Sequence, residues 1–159
     1  MIEEQHQQFM LEAIRLSAQG ASKNEGGPFG CVIVKNQRIV GRGNNQVIAR
    51  NDPTAHAEII AIRDACLHLE HFQLEGCTLY TTCEPCPMCL GAIYWARPER
   101  IFYACTRVDA AHIGFDDQFI YEEIMAEPQQ RKIPMKQLLR SEALKVFSAW
   151  SDKSDKTHY

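Results

Sequence analysis

The alternation of apolar and polar positions along the chain predicts helices and short strands that follow one another. Residues 3 to about 20 carry apolar side chains at helical spacing and end at Gly20, which predicts a first helix. Residues 31–34 form a short apolar run rich in β-branched side chains, and the chain returns through residues 38–41 after a polar pair. This pattern predicts a β-hairpin.

The next helix is predicted to begin at Asp52–Thr54 and to run to Leu69. Aspartate, proline and threonine are typical of a helix start, with the first or the last of them as the N-cap. Apolar residues then recur at helical spacing. His56 and Glu58 are therefore expected in the first turn of this helix.

A strand, a helix and another strand are predicted in the following part of the chain. Residues 77–82 and 100–105 are rich in β-forming side chains. The helix between them is expected to open at Pro85 or Pro87 and to stop near Pro98. Alternating strands and helices indicate an α/β domain with helices on both faces of a sheet, in which ligands bind at the carboxyl ends of strands.

The last part of the chain has a less regular pattern. A short helix is predicted around residues 119–124, a fifth strand at residues 133–139 and another helix at residues 142–150. Residues 151–159 are polar up to the terminal tyrosine, and such a tail is expected to fray.

The composition indicates one globular domain over residues 1–159. The chain is 45% apolar and 23% charged with a formal net charge of −3, whereas a general nucleic-acid-binding protein would usually be basic. The amino-terminal residues are polar and acidic, unlike a signal peptide, and no apolar run approaches the ~18 residues of a membrane span. With seven cysteines, three of them in one motif, these features predict a protein of the reducing cytoplasm.

One motif carries most of the chemical information. His56 and Glu58 are separated by one residue, and Cys86 and Cys89 form a Cys-x-x-Cys pair preceded by Pro85. This combination is the signature of zinc-dependent deaminases that act on nucleobases. An imidazole and two thiolates are three zinc ligands, which leaves the fourth position of a tetrahedral site for a water. Glu58 is the candidate group for moving protons beside that water.

The spacing of these residues constrains how they can meet. Residues two apart, such as His56 and Glu58, do not share a helical face, so they can serve one ion only if the start of their helix points at it. Cys86 and Cys89 are three apart and do share a face. A helix N-terminus also lowers the pKa of a thiol, which favours the thiolate that zinc needs. We therefore expect two helix starts to converge on one ion.

Cys83 opens two alternatives to this interpretation. With Cys86 and Cys89 it forms a run similar to an iron–sulfur site, but that site would need a cysteine at position 93, where the chain has Ile93. A zinc-stabilised binding module without turnover would use Cys83 as a fourth ligand. We expect instead that Cys83 is a buried thiol at the end of a strand, close to the metal but not bound to it.

Beyond the motif, the sequence resembles the small, cytidine-deaminase-like guanine deaminases of bacteria. The resemblance runs through Gly26–Gly30, Asn51–Glu58, Cys83–Pro98 and Gly114–Tyr121 to the carboxyl terminus. It implies a three-layer α/β/α cytidine-deaminase-like fold with a five-stranded mixed sheet between helices. It also implies a homodimer in which residues from about 140 to 159 are exchanged, so that each tail closes the partner's site.

The same resemblance implies the reaction and the site. Guanine and water would give xanthine and ammonia, with one Zn²⁺ per subunit bound by His56, Cys86 and Cys89. Glu58 would carry protons from water to the base and to the leaving amine. The residues implied to line the base pocket are Phe29, Asn45, Ala57, Trp95, Asp117 and Tyr159.

Asp117 and the aromatic pocket residues have more than one interpretation. A carboxylate at Asp117 would accept hydrogen bonds from the N–H donors of guanine, but one of two adjacent aspartates after a glycine is also typical of a helix cap. Asn45 can donate and accept at another edge of the base. Phe29 and Trp95 are as typical of a packed core as of a pocket.

Other functions share the zinc motif. A tRNA adenosine deaminase would need basic and aromatic surface for an anticodon loop, and a net acidic chain fits this requirement poorly. Deaminases of other small bases or of guanosine would use the same catalytic residues. A zinc-stabilised binding module would have the metal and no turnover.

Overall fold

The computed structural model describes residues 3–158, which divide into two compact units. The first unit ends at Asp117 and the second begins at Gln118. In the first unit the chain forms α1 (Glu3–Ser22), β1 (Gly30–Lys35), β2 (Arg38–Asn44), α2 (Val47–Arg50), α3 (Ala57–Leu69), β3 (Cys77–Cys83), α4 (Pro87–Ala96), β4 (Arg100–Cys105) and α5 (Arg107–His112). The second unit contains α6 (Gln118–Met125), a short 3-10 helix (Pro128–Gln130) and α7 (Arg140–Asp152).

Four strands form one mixed sheet in the order β2-β1-β3-β4. β1 pairs antiparallel with both β2 and β3, whereas β3 and β4 are parallel and α4 is the crossover between them. The predicted hairpin of β1 and β2 is confirmed. Its turn residues Asn36 and Gln37 have φ values of 50° and 62°, the positive values that match a two-residue turn to the twist of the strands.

Different helices cover the two faces of the sheet, as predicted. On one face Val32 and Tyr80 pack with Ala13 of α1. On the other face Ile33 and Leu79 belong to a second core that includes residues of α3 and α4. Because successive side chains of a strand point to opposite faces, the continuous buried run of each central strand supplies both cores. The first unit therefore has the α/β/α layering that the resemblance implied.

The prediction of a fifth strand is wrong. Residues 133–139 form no β-ladder with any described residue, so the sheet has four strands. Pro134 has no N–H to donate to a ladder, and the Ile133 side chain is 80% exposed. The segment ends at Leu139, whose φ of 51° precedes the first turn of α7.

The two helices predicted near the carboxyl end are confirmed as α6 and α7. α7 continues to Asp152, so the tail that was expected to fray begins two residues later than predicted. Within residues 3–158, no helix is both long enough and apolar enough to cross a membrane.

The first helix of the motif begins later than the sequence predicted. The Asp52 carboxylate accepts hydrogen bonds from N and Oγ1 of Thr54 at 2.8 and 2.7 Å, and this local turn takes the place of a helix cap. α3 therefore starts at Ala57, with His56 as its extended N-cap residue. His56 lies just before the first turn, and Glu58 lies within it.

The second helix of the motif begins at Pro87, the later of the two prolines predicted to open it. Cys86 is extended, with ψ of 166°, because a residue before proline avoids the helical region. The helix ends at Ala96, before Pro98 as predicted, and Arg97 caps it in a left-handed conformation.

A glycine lets the start of α3 approach the sheet. A Cβ atom on Gly43 of β2 would lie 2.2 Å from the carbonyl oxygen of Ala57 and 2.6 Å from the backbone nitrogen of Ala61. A side chain at this position would push α3 away from β2. The absence of a side chain at Gly43 therefore lets the first turn of α3 lie close against the sheet.

Candidate active site

The structure brings His56, Cys86 and Cys89 into one cluster. Nδ1 of His56 lies 3.6 Å from Sγ of Cys86 and 3.5 Å from Sγ of Cys89. The three ligand atoms lie within 4.8 Å of one another, and they are the metal-ligand group found among residues 3–158. Three residues from two helix starts therefore form one candidate metal site.

The distances in this cluster suit a tetrahedral zinc ion. Zinc binds sulfur at about 2.3 Å and imidazole nitrogen at about 2.0–2.1 Å, so a nitrogen and a sulfur on the same ion lie about 3.6 Å apart. The two observed nitrogen–sulfur distances agree with this value. An imidazole and two thiols are also the donor atoms that zinc prefers.

Both helices present their first residues to the cluster. His56 is the N-cap residue of α3 and Cys86 is the N-cap residue of α4, and within the described chain neither side chain caps its own helix. Cys89 is the third residue of α4 and is fully buried. The positive ends of two helix dipoles therefore favour negative charge on the sulfur atoms.

The two thiols have opposite pKa shifts. A hydrogen bond from the Cys89 thiol, reinforced by His56, lowers the pKa of Cys86 to about 4. The same hydrogen bond to Cys86, together with burial, raises the pKa of Cys89. The hydrogen bond to Cys86 likewise raises the pKa of the His56 imidazole. Zinc binds thiolates, so a cation held by the cluster would displace the thiol proton of Cys89.

Glu58 lies beside the cluster with both carboxylate oxygens in contact with other groups. Thr81 Oγ1 donates to Oε1 at 3.2 Å, and Cys89 Sγ donates to Oε2 at 3.4 Å. The Glu58 side chain is buried, and burial raises its pKa above the usual range of a glutamate. A carboxyl group with a raised pKa at a reaction centre is a candidate general acid and base.

Cys83 lies outside the ligand cluster. Its Sγ donates to the carbonyl oxygen of Thr106 at 3.5 Å. Burial raises the pKa of the Cys83 thiol to about 11, so it stays protonated at neutral pH. The hydrogen bond to Thr106 and the position of Cys83 outside the group of ligand atoms both argue against a role as a zinc ligand.

A cavity of about 460 Å³ opens in front of the cluster. Its lining is mostly apolar, with carboxylates and an amide at separate points of the wall. The lining residues are Gly26, Gly27, Phe29, Asn45, Val47, Ile48, Pro53, His56, Glu58, Cys83, Glu84, Cys86, Arg107, Ala110, Gly114, Phe115, Asp116 and Asp117. An apolar concave site with a few polar groups is the usual form of a small-molecule site.

Asn45 is held in one orientation in the cavity wall. Its Oδ1 accepts hydrogen bonds from the backbone nitrogens of Gly27 at 3.3 Å and Val47 at 3.2 Å. The side chain is buried, and a Cβ atom on Gly26 would lie only 2.0 Å from Oδ1. Because two backbone donors fix the carbonyl end, the side chain offers its amide N–H groups to the cavity.

The cavity lining also includes Asp117 and an aromatic pair. Phe29 and Phe115 pack edge to face, with ring centroids 4.9 Å apart. Asp117 is half-buried, and burial raises the pKa of its carboxyl although the nearby Arg107 opposes the shift. Asp117 also directly precedes α6, so its position along the chain suits a helix cap as well.

The structure brings some predicted pocket residues to the cavity and places others elsewhere. Phe29, Asn45 and Asp117 line it. Ala57 is fully buried between His56 and Glu58 and is not a lining residue, and Trp95 is 65% exposed on α4 outside the lining. The terminal tyrosine, Tyr159, lies outside the described residues.

Sequence analysis missed three residues that contribute to the site. Thr81 contacts Glu58, Phe115 packs on Phe29, and the Oε2 atom of Glu84 accepts a hydrogen bond from the backbone of Arg107 at 3.1 Å. A signal was available only for Thr81, which is a polar residue at a buried position of a central strand. The other contacts join segments that no spacing rule connects.

Comparison with known proteins gives consistent matches. Residues 3–105 match the family described as the cytidine and deoxycytidylate deaminase zinc-binding region. A guanine deaminase of Bacillus subtilis is 52% identical over 154 residues, which cover 97% of this chain and 99% of the relative. The X-ray structure of guanine deaminase from Bacillus subtilis has a TM-score of 0.94 and 51% identity, and the match covers 100% of this chain and 99% of that one.

A second group of relatives has a different substrate. A tRNA-specific adenosine deaminase of Buchnera aphidicola is 36% identical over 129 residues, which cover 80% of this chain and 82% of the relative. Both the identity and the coverage are lower than for the guanine deaminase.

Proposed function

The chain belongs to the cytidine and deoxycytidylate deaminase zinc-binding family, and from this premise we propose that it hydrolyses guanine to xanthine and ammonia. The observation that carries the proposal is the cluster of His56, Cys86 and Cys89 with Glu58 beside it at the base of one cavity. The similarity to a guanine deaminase over almost the whole chain supports guanine as the base.

His56, Cys86 and Cys89 would hold about one Zn²⁺ per subunit, since the chain offers one such cluster in its described part. A zinc ion held there would lower the pKa of a bound water from about 15.7 toward about 7 and so would supply a nucleophile at neutral pH. The remaining steps depend on groups of the chain itself.

Glu58 is the group that moves protons in this proposal. Its Oε2 atom lies beside the cluster, so it can accept a proton from the attacking water and deliver it to the ring nitrogen next to C2. It would then pass a second proton to the leaving amino group, which departs as ammonia. The raised pKa of Glu58 suits a group that is protonated and deprotonated in each cycle.

Asn45 and Asp117 would recognise opposite edges of the base. Asn45 offers N–H donors to an acceptor on guanine, because its carbonyl oxygen is occupied by the backbone. Asp117 accepts from N–H donors, including the amino group that is removed. Phe29, held by Phe115, supplies an apolar surface for the ring.

The experiment that tests the proposal is ammonia release by the zinc-loaded protein from guanine, guanosine, adenine, cytosine and a tRNA anticodon hairpin. We expect turnover mainly with guanine. We also expect Asp117→Asn to lower kcat/KM for guanine about 10–100-fold, since an unpaired buried hydrogen-bonding group costs about 1–3 kcal/mol. Asp116→Asn is the matched control for the adjacent carboxylate, and its effect should be clearly smaller.

Each other outcome of this experiment contradicts a different part of the proposal. Turnover of the hairpin alone would assign the chain to the tRNA adenosine deaminases, to which it is also similar. If the zinc-loaded protein released no ammonia from any of these substrates, the result would favour a zinc-stabilised binding module. An Asp117→Asn variant with an unchanged guanine rate would leave Asp117 as a helix cap.

We further propose a homodimer that exchanges residues from about 140 to 159, within one domain of residues 1–159. Two observations support a second copy as the partner. No residue of α6 or α7 is buried, and large apolar side chains such as Met125 of α6, Phe147 of α7 and Leu138 before α7 are exposed. In addition, β4 is an edge strand among the described residues, and Trp95 and Tyr103 near it are exposed.

In such a dimer the tail of one subunit would close the base pocket of the other, with Tyr159 as the lid residue and Trp95 in the covered pocket. Mixing two defective subunits tests this arrangement. One carries Glu58→Ala with an intact tail, and the other keeps Glu58 but lacks residues 153–159. After subunit exchange at equal amounts, we expect recovery of about a quarter of the wild-type turnover, because each mixed dimer has one complete site.

The contrary result of the mixing experiment is also informative. If each tail closed its own subunit's site, the mixture would be no more active than the sum of its parts. A wild-type protein that sediments as a monomer would contradict the dimer itself.

The state of the cysteines supports a location in the cytoplasm. All seven are free, including the half-buried Cys66 and the exposed Cys105. Free thiols next to a thiolate metal site are stable in a reducing compartment.

A further inference from the structure

Thr81 is an unusual residue for its position in the sheet. It lies in β3 on the face that packs against α3 and α4, where its neighbours along the strand are Leu79 and Cys83. Its side chain is 1% exposed. A hydroxyl group buried at this depth costs free energy unless it makes a hydrogen bond, so its partner indicates its role.

The partner of Thr81 is Glu58. Thr81 Oγ1 donates to Oε1 at 3.2 Å, while the other oxygen, Oε2, lies 3.4 Å from Sγ of Cys89. The two carboxylate oxygens therefore have different surroundings. Oε1 is held by the sheet, and Oε2 is the oxygen beside the metal-ligand cluster.

We propose that Thr81 is the positioning residue of the reaction, which fixes the Glu58 carboxylate so that Oε2 faces the base. This inference rests on the function proposed above. Glu58 has three rotatable side-chain bonds, and its backbone alone does not determine where the carboxylate points. The hydrogen bond from Thr81 selects one orientation of the carboxylate. It holds Oε1 at the sheet and leaves Oε2 beside the cluster.

The local structure makes Thr81 a rigid anchor. β3 is a central strand, and Thr81 is paired with Cys31 of β1 and with Tyr103 of β4. Its neighbour Thr82 accepts a hydrogen bond from the backbone nitrogen of Gly30 at 3.0 Å. A β-branched side chain has a restricted χ1 angle, so the hydroxyl has little freedom to move away. A reactive group supported by a rigid strand keeps its geometry better than one supported by a loop.

The test replaces Thr81 by valine, which has the same shape but no hydroxyl. We expect Thr81→Val to lower kcat for guanine about 10²-fold with KM nearly unchanged, because misplacing a catalytic group by about 1 Å has an effect of this size. Thr81→Ser keeps the donor and should restore most of kcat. Thr78→Val makes the same change on the other face of the same strand and should have little effect.

A second readout does not depend on activity. The midpoint of denaturant unfolding should fall in Thr81→Val, and in a Glu58→Ala background the fall should disappear or reverse, since the Thr81 hydroxyl then has no bond to lose and its removal relieves a buried unpaired group. This cycle measures the coupling from folding alone, so it remains informative if Thr81→Val has too little activity to assay. Zinc content should stay the same in each variant.

The results separate this inference from the proposed function. If the wild type were inactive on guanine but the unfolding cycle still showed coupling between Thr81 and Glu58, the proposed function would be rejected and the hydrogen bond between the two residues would stand. A Thr81→Val variant with wild-type kcat would overturn the positioning role, as would a serine variant that is as slow as the valine variant. Equal shifts of the unfolding midpoint in both backgrounds would show that Thr81 acts only through packing.

Discussion

Glu58→Ala is expected to keep zinc bound and to lose nearly all turnover of guanine. The residue is not a metal ligand, so its removal leaves His56, Cys86 and Cys89 in place. It does remove the carboxylate that exchanges protons with water, with the base and with the leaving amine. Positioned acid–base catalysis contributes typically 10²–10⁴-fold, and we expect a loss of kcat toward the upper end because one group serves several proton transfers.

Two companion variants make this result interpretable. Glu58→Gln keeps the shape of the side chain and the hydrogen bond from Thr81 but cannot exchange a proton, so it should be nearly as slow as alanine. Glu58→Asp keeps the carboxyl group but shortens the side chain by one methylene, and its kcat should lie between those of the wild type and the alanine variant. Zinc analysis and an unfolding curve accompany each rate. A glutamine variant with most of its activity would exclude Glu58 as the proton carrier.

Cys86→Ala and Cys89→Ala are each expected to abolish both zinc binding and turnover. A zinc site with three protein ligands would keep only two after either substitution, too few to hold the ion. The low pKa of Cys86 makes its thiolate available at neutral pH. Dialysis followed by metal analysis should give about one zinc per chain for the wild type and almost none for either variant. The rate of ammonia release should fall with the zinc content.

Cys83→Ala is the matched control for the ligand variants. Cys83 is also buried beside the cavity, but its thiol donates to Thr106 and its pKa is raised to about 11. We expect this variant to keep its zinc. If Cys83→Ala lost zinc as readily as Cys86→Ala, the site would have three sulfur ligands and no open position, and the binding-module interpretation would replace catalysis.

The four strands of the sheet and the candidate metal-ligand cluster were predictable because their signals are local. β1 is a short apolar run and β3 is rich in β-forming side chains, and the motif pointed to His56, Cys86 and Cys89, the cluster that the structure brings together. The start of α3 was not predictable in the same way. An aspartate followed two residues later by threonine can form either a helix cap or a closed turn, and Asp52 forms the turn with Thr54.

Other features depend on residues that are far apart in the chain. Thr81 and Glu58 are 23 positions apart, and no helical or strand period relates them. Phe115 reaches Phe29 only because the chain after β4 returns to the cavity. The apolar residues of 133–139 resembled a strand, but a strand needs a ladder partner, and the sequence pattern alone cannot supply one.

The anchored amide of Asn45 has a consequence for how substrate preference can evolve. With its carbonyl oxygen bonded to the backbone nitrogens of Gly27 and Val47, the side chain cannot flip to exchange donors for acceptors. In the proposed binding mode, Asn45 would therefore accept a ring edge with a lone pair and reject one with an N–H group. By the same proposal, mutations that change the preferred base are expected at other lining residues of the cavity, such as Asp117, and not at Asn45.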